Sequence, residues 1–143
     1  MIIDCHGHYT TAPGGLGVWR KLQLSDSKSI SSKPEISDDE IRDSLEGAQL
    51  RIQRERGTDL TFFSPRAGSM EHHVGDAAVS QAWSRQCNDL IHRACNLYPS
   101  NFVAVCQLPQ SPGVPPAYCI PELQRCVQEL GFVGCNLNPD PSG

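Results

Sequence analysis

No apolar run in the 143 residues approaches the ~18 that a membrane-spanning helix requires. No basic segment followed by a long apolar stretch opens the chain, so a secretory signal is not expected and the cytoplasm is the expected compartment. Basic charge is not in excess: 12 Lys and Arg stand against 16 Asp and Glu, for a net charge of −4. That excludes the broad cationic footprint by which proteins hold nucleic acid or an acidic membrane surface. No internal repeat is present. The seven cysteines include no Cys-x-x-Cys pair, which removes the closely spaced ligands of zinc ribbons and fingers. Their odd number and the lack of a secretory signal argue against a disulfide framework. Reduced, mostly buried thiols are expected instead.

What is present is the composition of one folded domain, with 38% hydrophobic and 20% charged residues. Short apolar runs alternate with amphipathic segments. Residues 1–5 (MIIDC), 58–64 (TDLTFFS), 101–107 (NFVAVCQ) and 132–137 (FVGCNL) are nearly continuous in hydrophobicity, as strands covered on both faces are. Ser37 followed by Glu40 is a capping-box signature. It opens a predicted helix with Ile41, Leu45, Ala48 and Ile52 on one face, ending near Gly57. A second helix is predicted over 76–98, striped by Val79, Trp83, Cys87, Leu90, Ala94 and Leu97. A third begins in the proline-rich turn 112–116 and carries Ile120, Leu123, Val127 and Leu130. It tolerates Pro121 in its first turn and breaks at Gly131. The order β-α-β-α-β-α-β calls for parallel strands with helical crossovers. Two architectures satisfy it, an open doubly wound sheet and a (β/α)8 barrel. A whole barrel needs ~250 residues, so a barrel reading makes this chain a truncated one.

The chemistry-bearing motif is His6-Gly7-His8 at the end of the first run. Residues two apart in an extended segment point to one side, so both imidazoles can face one metal ion. Asp4 is placed to fix an imidazole tautomer from behind. Further polar residues follow the other strands. Arg66 can grip a substrate carboxylate, or pair with a loop acid as a surface residue. His72 and His73 can act as substrate-binding donors or proton carriers, or form a solvated loop pair or a helix N-terminal contact. Gln107 and Asn138 can bind a carboxylate or satisfy loop backbone. His92 reads as an exposed helix residue. The long loop over 9–36, with Trp19 and Arg20, reads as an active-site cover or as disorder.

The opening MIIDCHGH resembles the first-strand metal motif of the amidohydrolase superfamily, in the branch of aminocarboxymuconate semialdehyde decarboxylases and related lyases and hydratases. The stretches ISDDEIRDSLEGAQLRIQRERGTDLTFFSPRAGSMEHHVGD, CNDLIHRACNLYPSNFVAVCQLPQSPGVPP and ELGFVGCNLNPDPSG are similar to the hydratases of that branch that act in protocatechuate and gallate catabolism. The resemblance implies an α/β fold, the N-terminal half of a (β/α)8 TIM barrel with about four parallel strands and three helices. Residues 1–143 would form one partial barrel domain, truncated after the fourth strand. It implies a mononuclear zinc whose first two ligands are His6 and His8, with further ligands and the general acid and base lying outside this chain. Arg66, His72, His73 and Asn138 would then bind a small anionic substrate. The implied activity is that of a hydro-lyase adding water to an unsaturated oxo-tricarboxylate. The alternatives are a decarboxylase or hydrolase of the same branch, or a non-catalytic fragment that acts by association. No nucleic-acid or membrane partner is implied; a homo-oligomer is an open expectation.

Overall fold

In a computed structural model, residues 1–26, 32–66 and 71–139 are described. Four strands, β1 (Ile3–His8), β2 (Leu60–Ser64), β3 (Phe102–Gln107) and β4 (Gly134–Asn136), form one sheet in the order β1-β2-β3-β4. Every neighbouring pair is parallel. Sequential order with each strand beside the next is the winding of a barrel, whereas a doubly wound sheet reverses direction part-way. The sheet is therefore a half-barrel, as the resemblance implied.

The capping box forms: Ser37 Oγ accepts from the Glu40 amide and the Glu40 carboxylate accepts from the Ser37 amide. It opens α2 (Asp38–Glu46), which stops at Gly47; α3 (Gln49–Arg56) restarts after Ala48. The single helix expected here is thus broken. The restart resets the helical phase, so Leu50 and Gln53 are buried while Ile52 faces out. Gly57 ends α3 at φ 66°, a left-handed conformation that favours glycine.

The predicted long helix is α4 (Ala77–Leu97), capped by Asp76, whose side chain accepts from the Val79 amide. It lies over β2 and β3 and buries Trp83, Cys87, Leu90, Ile91 and Ala94. Around this contact sits the main core with Ile41, Leu45, Phe63, Phe102 and Cys106. His92, expected on the exposed side, is half-buried and stacks on Phe132.

A one-turn 3-10 helix (Pro116–Cys119) leads into α5 (Ile120–Gln128). The apolar stripe expected for α5 is only half realised. Leu123 and Leu130 pack against the main core while Ile120 and Val127 are exposed, and the helix also buries Cys126 and the Glu122–Arg125 ion pair. That pair is part of a network. Arg125 also meets Asp89, and Asn88 Nδ2 donates to Glu122 Oε1 at 2.9 Å. With Arg125 and Asn88 donating to it, the Glu122 carboxyl is held below the usual carboxylate range despite burial, which by itself raises it.

The loop over 9–36 contains a helix the sequence reading missed, α1 (Gly14–Ser25). Three glycines in its first turn give it poor intrinsic propensity. Tertiary packing holds it. Trp19 stacks on Trp83 of α4, the Arg20 guanidinium lies 4.7 Å from the Trp83 ring centre, and Gln23 Nε2 donates to the Val79 carbonyl. Trp19 and Arg20 are thus core residues. Of the cysteines, Cys5 and Cys135 are exposed and the others are buried or half-buried, all as free thiols.

Candidate functional site

Strand β1 runs further than hydrophobicity alone suggested, through His8. Its polar end is held by pairing with β2: Gly7 stands opposite Phe63 and His8 opposite Ser64. Between Asp4 and Gly7 the register shifts by one residue, a bulge of the kind that re-aims side chains near functional sites. A Cβ built on Gly7 would lie 2.2 Å from Thr61 Cγ2 and 3.1 Å from the Phe62 carbonyl oxygen. The glycine is required by this close approach of β1 to β2. Gly7→Ala in the full-length parent is expected to lose ~1–3 kcal/mol of stability and to displace the flanking histidines. Urea unfolding with parallel metal analysis checks this, and wild-type values in both would show that the strands separate freely.

The two imidazoles converge. His6 Nε2 and His8 Nε2 lie 3.1 Å apart. Two nitrogens each ~2.0–2.1 Å from a tetrahedral zinc are ~3.3 Å apart, so this spacing fits a shared metal ion. His8 is oriented from behind. Its Nδ1 lies 2.9 Å from the Pro65 carbonyl oxygen and 2.8 Å from Ser64 Oγ. Ser64 Oγ in turn donates to the Gly7 carbonyl. That network puts the His8 proton on Nδ1 and leaves the Nε2 lone pair facing His6. It is the buttressing typical of a ligating histidine, supplied by a strand-end carbonyl and a serine. Asp4 does not do this: its Oδ1 accepts from the His6 backbone amide at 3.1 Å. Among the described residues no cluster of three or more His, Cys, Asp or Glu side chains is placed to hold a metal ion. The donor set present therefore fits part of a metal site.

His6, His8, Asn136 and Asn138 share one open cavity of about 300 Å3 with Cys135, Leu137 and Pro139. Asn138 is fixed through its backbone. Gln110 Nε2 donates to its carbonyl, and its amide donates to Gln110 Oε1. Arg66 is exposed and lines a separate, mostly apolar cavity of about 230 Å3 between the β1–α1 turn and α4. Pro65 lies in its wall and also holds His8, so the two cavities adjoin. Gln107 is buried rather than aimed at the histidines. Its Nε2 donates to Ser84 Oγ, and Asn88 brackets its backbone through both amide atoms. Asn136, Gln110 and Asn88 were not singled out from sequence; the register of β3 and β4 brings in Asn136, and the packing of α4 on β3 brings in Asn88.

His72 and His73 part company. His73 is exposed. His72 is only 2% exposed, and among the described residues neither ring nitrogen has a hydrogen-bond partner. The expected solvated pair is therefore half right. Burial, with His73 and Arg20 nearby, lowers the His72 pKa below its ordinary 6.5. A histidine depressed in the fold binds its proton more readily when unfolded. Stability is thus complete above 6.5 and declines as pH falls from there toward the folded value. His72→Phe is expected to flatten that decline in urea unfolding of the parent across about pH 5–8. Equal slopes for wild type and variant would mean that His72 reaches solvent.

Sequentially wound parallel strands, with two converged histidines at the C-terminal end of the first, define part of a barrel enzyme that gathers its chemistry at the strand ends. The chain belongs to the amidohydrolase family, whose pattern (Amidohydro_2) matches residues 3–143. It is 54% identical over 146 residues to a 2-keto-4-carboxy-3-hexenedioate hydratase of a Sphingobium species, covering 100% of this chain and 43% of that protein. The crystal structure of a 4-oxalomesaconate hydratase from Rhodopseudomonas palustris matches at a TM-score of 0.89 and 52% identity, again over 100% of this chain and 43% of that one. The chain thus spans less than half the length of these relatives. A gamma-resorcylate decarboxylase of a Polaromonas species is more distant, 28% identical over 66% of this chain and 28% of its own length. The fold is shared with a dihydroxybenzoic acid decarboxylase from Polaromonas solved with bound manganese, at a TM-score of 0.62 and 24% identity over 96% of this chain and 38% of that one. The resemblance to the hydratases of this family, over decarboxylases, is borne out by these figures.

Proposed function

We propose that this chain carries the metal-holding end of a hydro-lyase that adds water across the carbon–carbon double bond of an unsaturated oxo-tricarboxylate. The proposed setting is aromatic-compound breakdown through protocatechuate or gallate, in the cytoplasm; among the described residues no helix is long and apolar enough to cross a membrane. The observation that carries the reading is the convergence of His6 and His8 in a chain 54% identical along its whole length to a hydratase. Zinc is the metal proposed, and when bound it supplies Lewis acidity toward water or a substrate oxygen. His8 presents a fixed nitrogen lone pair because its other nitrogen is engaged by Pro65. His6 presents the second donor across 3.1 Å. The remaining ligands and the general acid and base are proposed to lie in the part of the parent that these 143 residues do not span. Asn138, held at its backbone by Gln110, orients the substrate. Arg66 and His73 are proposed to meet substrate only at the periphery, and the enclosure of His72 supports a packing role for it.

The test is a hydration assay on the full-length parent, metal-stripped and then reloaded with zinc. Loss and recovery of water addition to the oxo-tricarboxylate is the expected result. Undiminished turnover after stripping contradicts the metal reading, and release of carbon dioxide in place of hydration would move the protein among the decarboxylases.

A further inference from the structure

The cavity that holds the histidines has a chemical deficit. An oxo-tricarboxylate carries several negative charges, yet among the described residues no Lys or Arg lines that cavity. Arg66, the cation the sequence offers, opens onto the neighbouring one. Within this chain, the groups that can meet anionic oxygens in that cavity are neutral donors.

One donor is waiting. Asn136, the last residue of β4, lines the cavity beside His6 and His8. Its Nδ2 is enclosed by protein and, among the described residues, has no acceptor. Enclosed amide donors nearly always have a partner, so one left without among the described residues is a group open to a partner that binds there.

The scaffold around Asn136 is fixed on both sides. In register it faces Gln107 of β3, whose backbone amide and carbonyl are both bracketed by Asn88, at 2.8 and 2.9 Å. Asn88 is anchored in turn by the buried Glu122. Two residues further along, Asn138 is clamped by Gln110. A donor on a strand end braced in this way is preorganised and does not follow solvent.

We infer that Asn136 is a substrate-positioning residue, whose side-chain amide donates to a carboxylate or carbonyl oxygen of the anionic substrate beside the histidines. This rests on the hydratase reading above for the substrate and its charge, and binding of a simple tricarboxylate tests the donor separately.

The test uses the full-length, zinc-loaded parent and its Asn136→Ala and Asn136→Asp variants. A hydrogen bond to a charged oxygen corresponds to about 10- to 100-fold in affinity. Asn136→Ala is expected to raise KM by that factor, with kcat changed only a few-fold and bound zinc unchanged. Asn136→Asp replaces the donor by a negative charge and is expected to be worse in KM. Asn136→Ser, which keeps a donor, is expected to recover part of the loss. A KM within twofold of wild type for the alanine variant overturns the assignment, as does a loss that tracks lost zinc. Binding of citrate, a saturated tricarboxylate, is measured in parallel by titration calorimetry. If the wild-type parent does not hydrate the oxo-tricarboxylate, the hydratase reading fails. The citrate affinities then still decide for Asn136: a tenfold or greater drop in the alanine variant supports it, and equal affinities overturn it.

Discussion

His8→Ala in the full-length parent is expected to lose most of its bound metal and nearly all turnover while unfolding at close to the wild-type denaturant midpoint. The imidazole is half-buried at a strand end and is not part of the hydrophobic core. Its removal therefore costs little packing. It does remove one of two converged nitrogens, while the Ser64 hydroxyl that helps orient the ring keeps its bond to the Gly7 carbonyl. Strand-end residues of a barrel carry chemistry more than stability. His6→Ala should behave alike. Ser64→Ala should be milder, loosening the His8 ring while Pro65 still holds its tautomer; outer partners of metal ligands typically contribute about 10- to 100-fold in metal affinity or activity. Metal analysis, kinetics and urea unfolding on the same preparations check the three together. Full activity in metal-free His8→Ala protein would contradict the zinc lyase outright.

A polypeptide of these 143 residues expressed by itself is expected to be inactive and to associate. Among the described residues β1 pairs only with β2 and β4 only with β3, which leaves a strand edge open on each side. Open edges are templates for pairing with another chain. The same two strands are flanked by exposed apolar side chains: Met1, Ile2 and Ile3 at one end, Val133 and Leu137 at the other. Exposed apolar side chains beside an open strand edge add to the hazard of association. The two histidines alone also hold a metal weakly. Light scattering after size exclusion should report dimers or larger species, with no hydration in the presence of zinc. A cooperatively unfolding monomer would show that the half-barrel is self-sufficient, and zinc-dependent turnover would show that the missing ligands are not needed.

The strands were legible because each is an apolar run between turn residues, and α4 because its stripe repeats over about five turns. The extent of β1 was not, since its last residues are held by pairing with β2 and hydrophobicity carries no trace of that. Helix α1 was hidden by its glycines, for its stability comes from Trp83 and Val79, far away in sequence. The break between α2 and α3 was hidden because Gly47 and Ala48 leave the apolar spacing looking continuous. Within the site, His6 and His8 were singled out by their spacing at the end of an apolar run together with the family resemblance of that opening motif, and the strand brings their two rings together. Arg66 was correctly placed after β2, but the direction a loop side chain takes is not written in its position, and it turned to the adjoining cavity. Nothing in the run 132–137 marks Asn136; its register with Gln107 and the cavity it shares with the histidines set it apart.

The most direct test of the central claim is anomalous diffraction from crystals of the full-length parent, recorded on both sides of the zinc edge. A zinc peak ~2.0–2.1 Å from both His6 Nε2 and His8 Nε2 is the predicted result. Catalytically active crystals with no metal peak at those two nitrogens would contradict it.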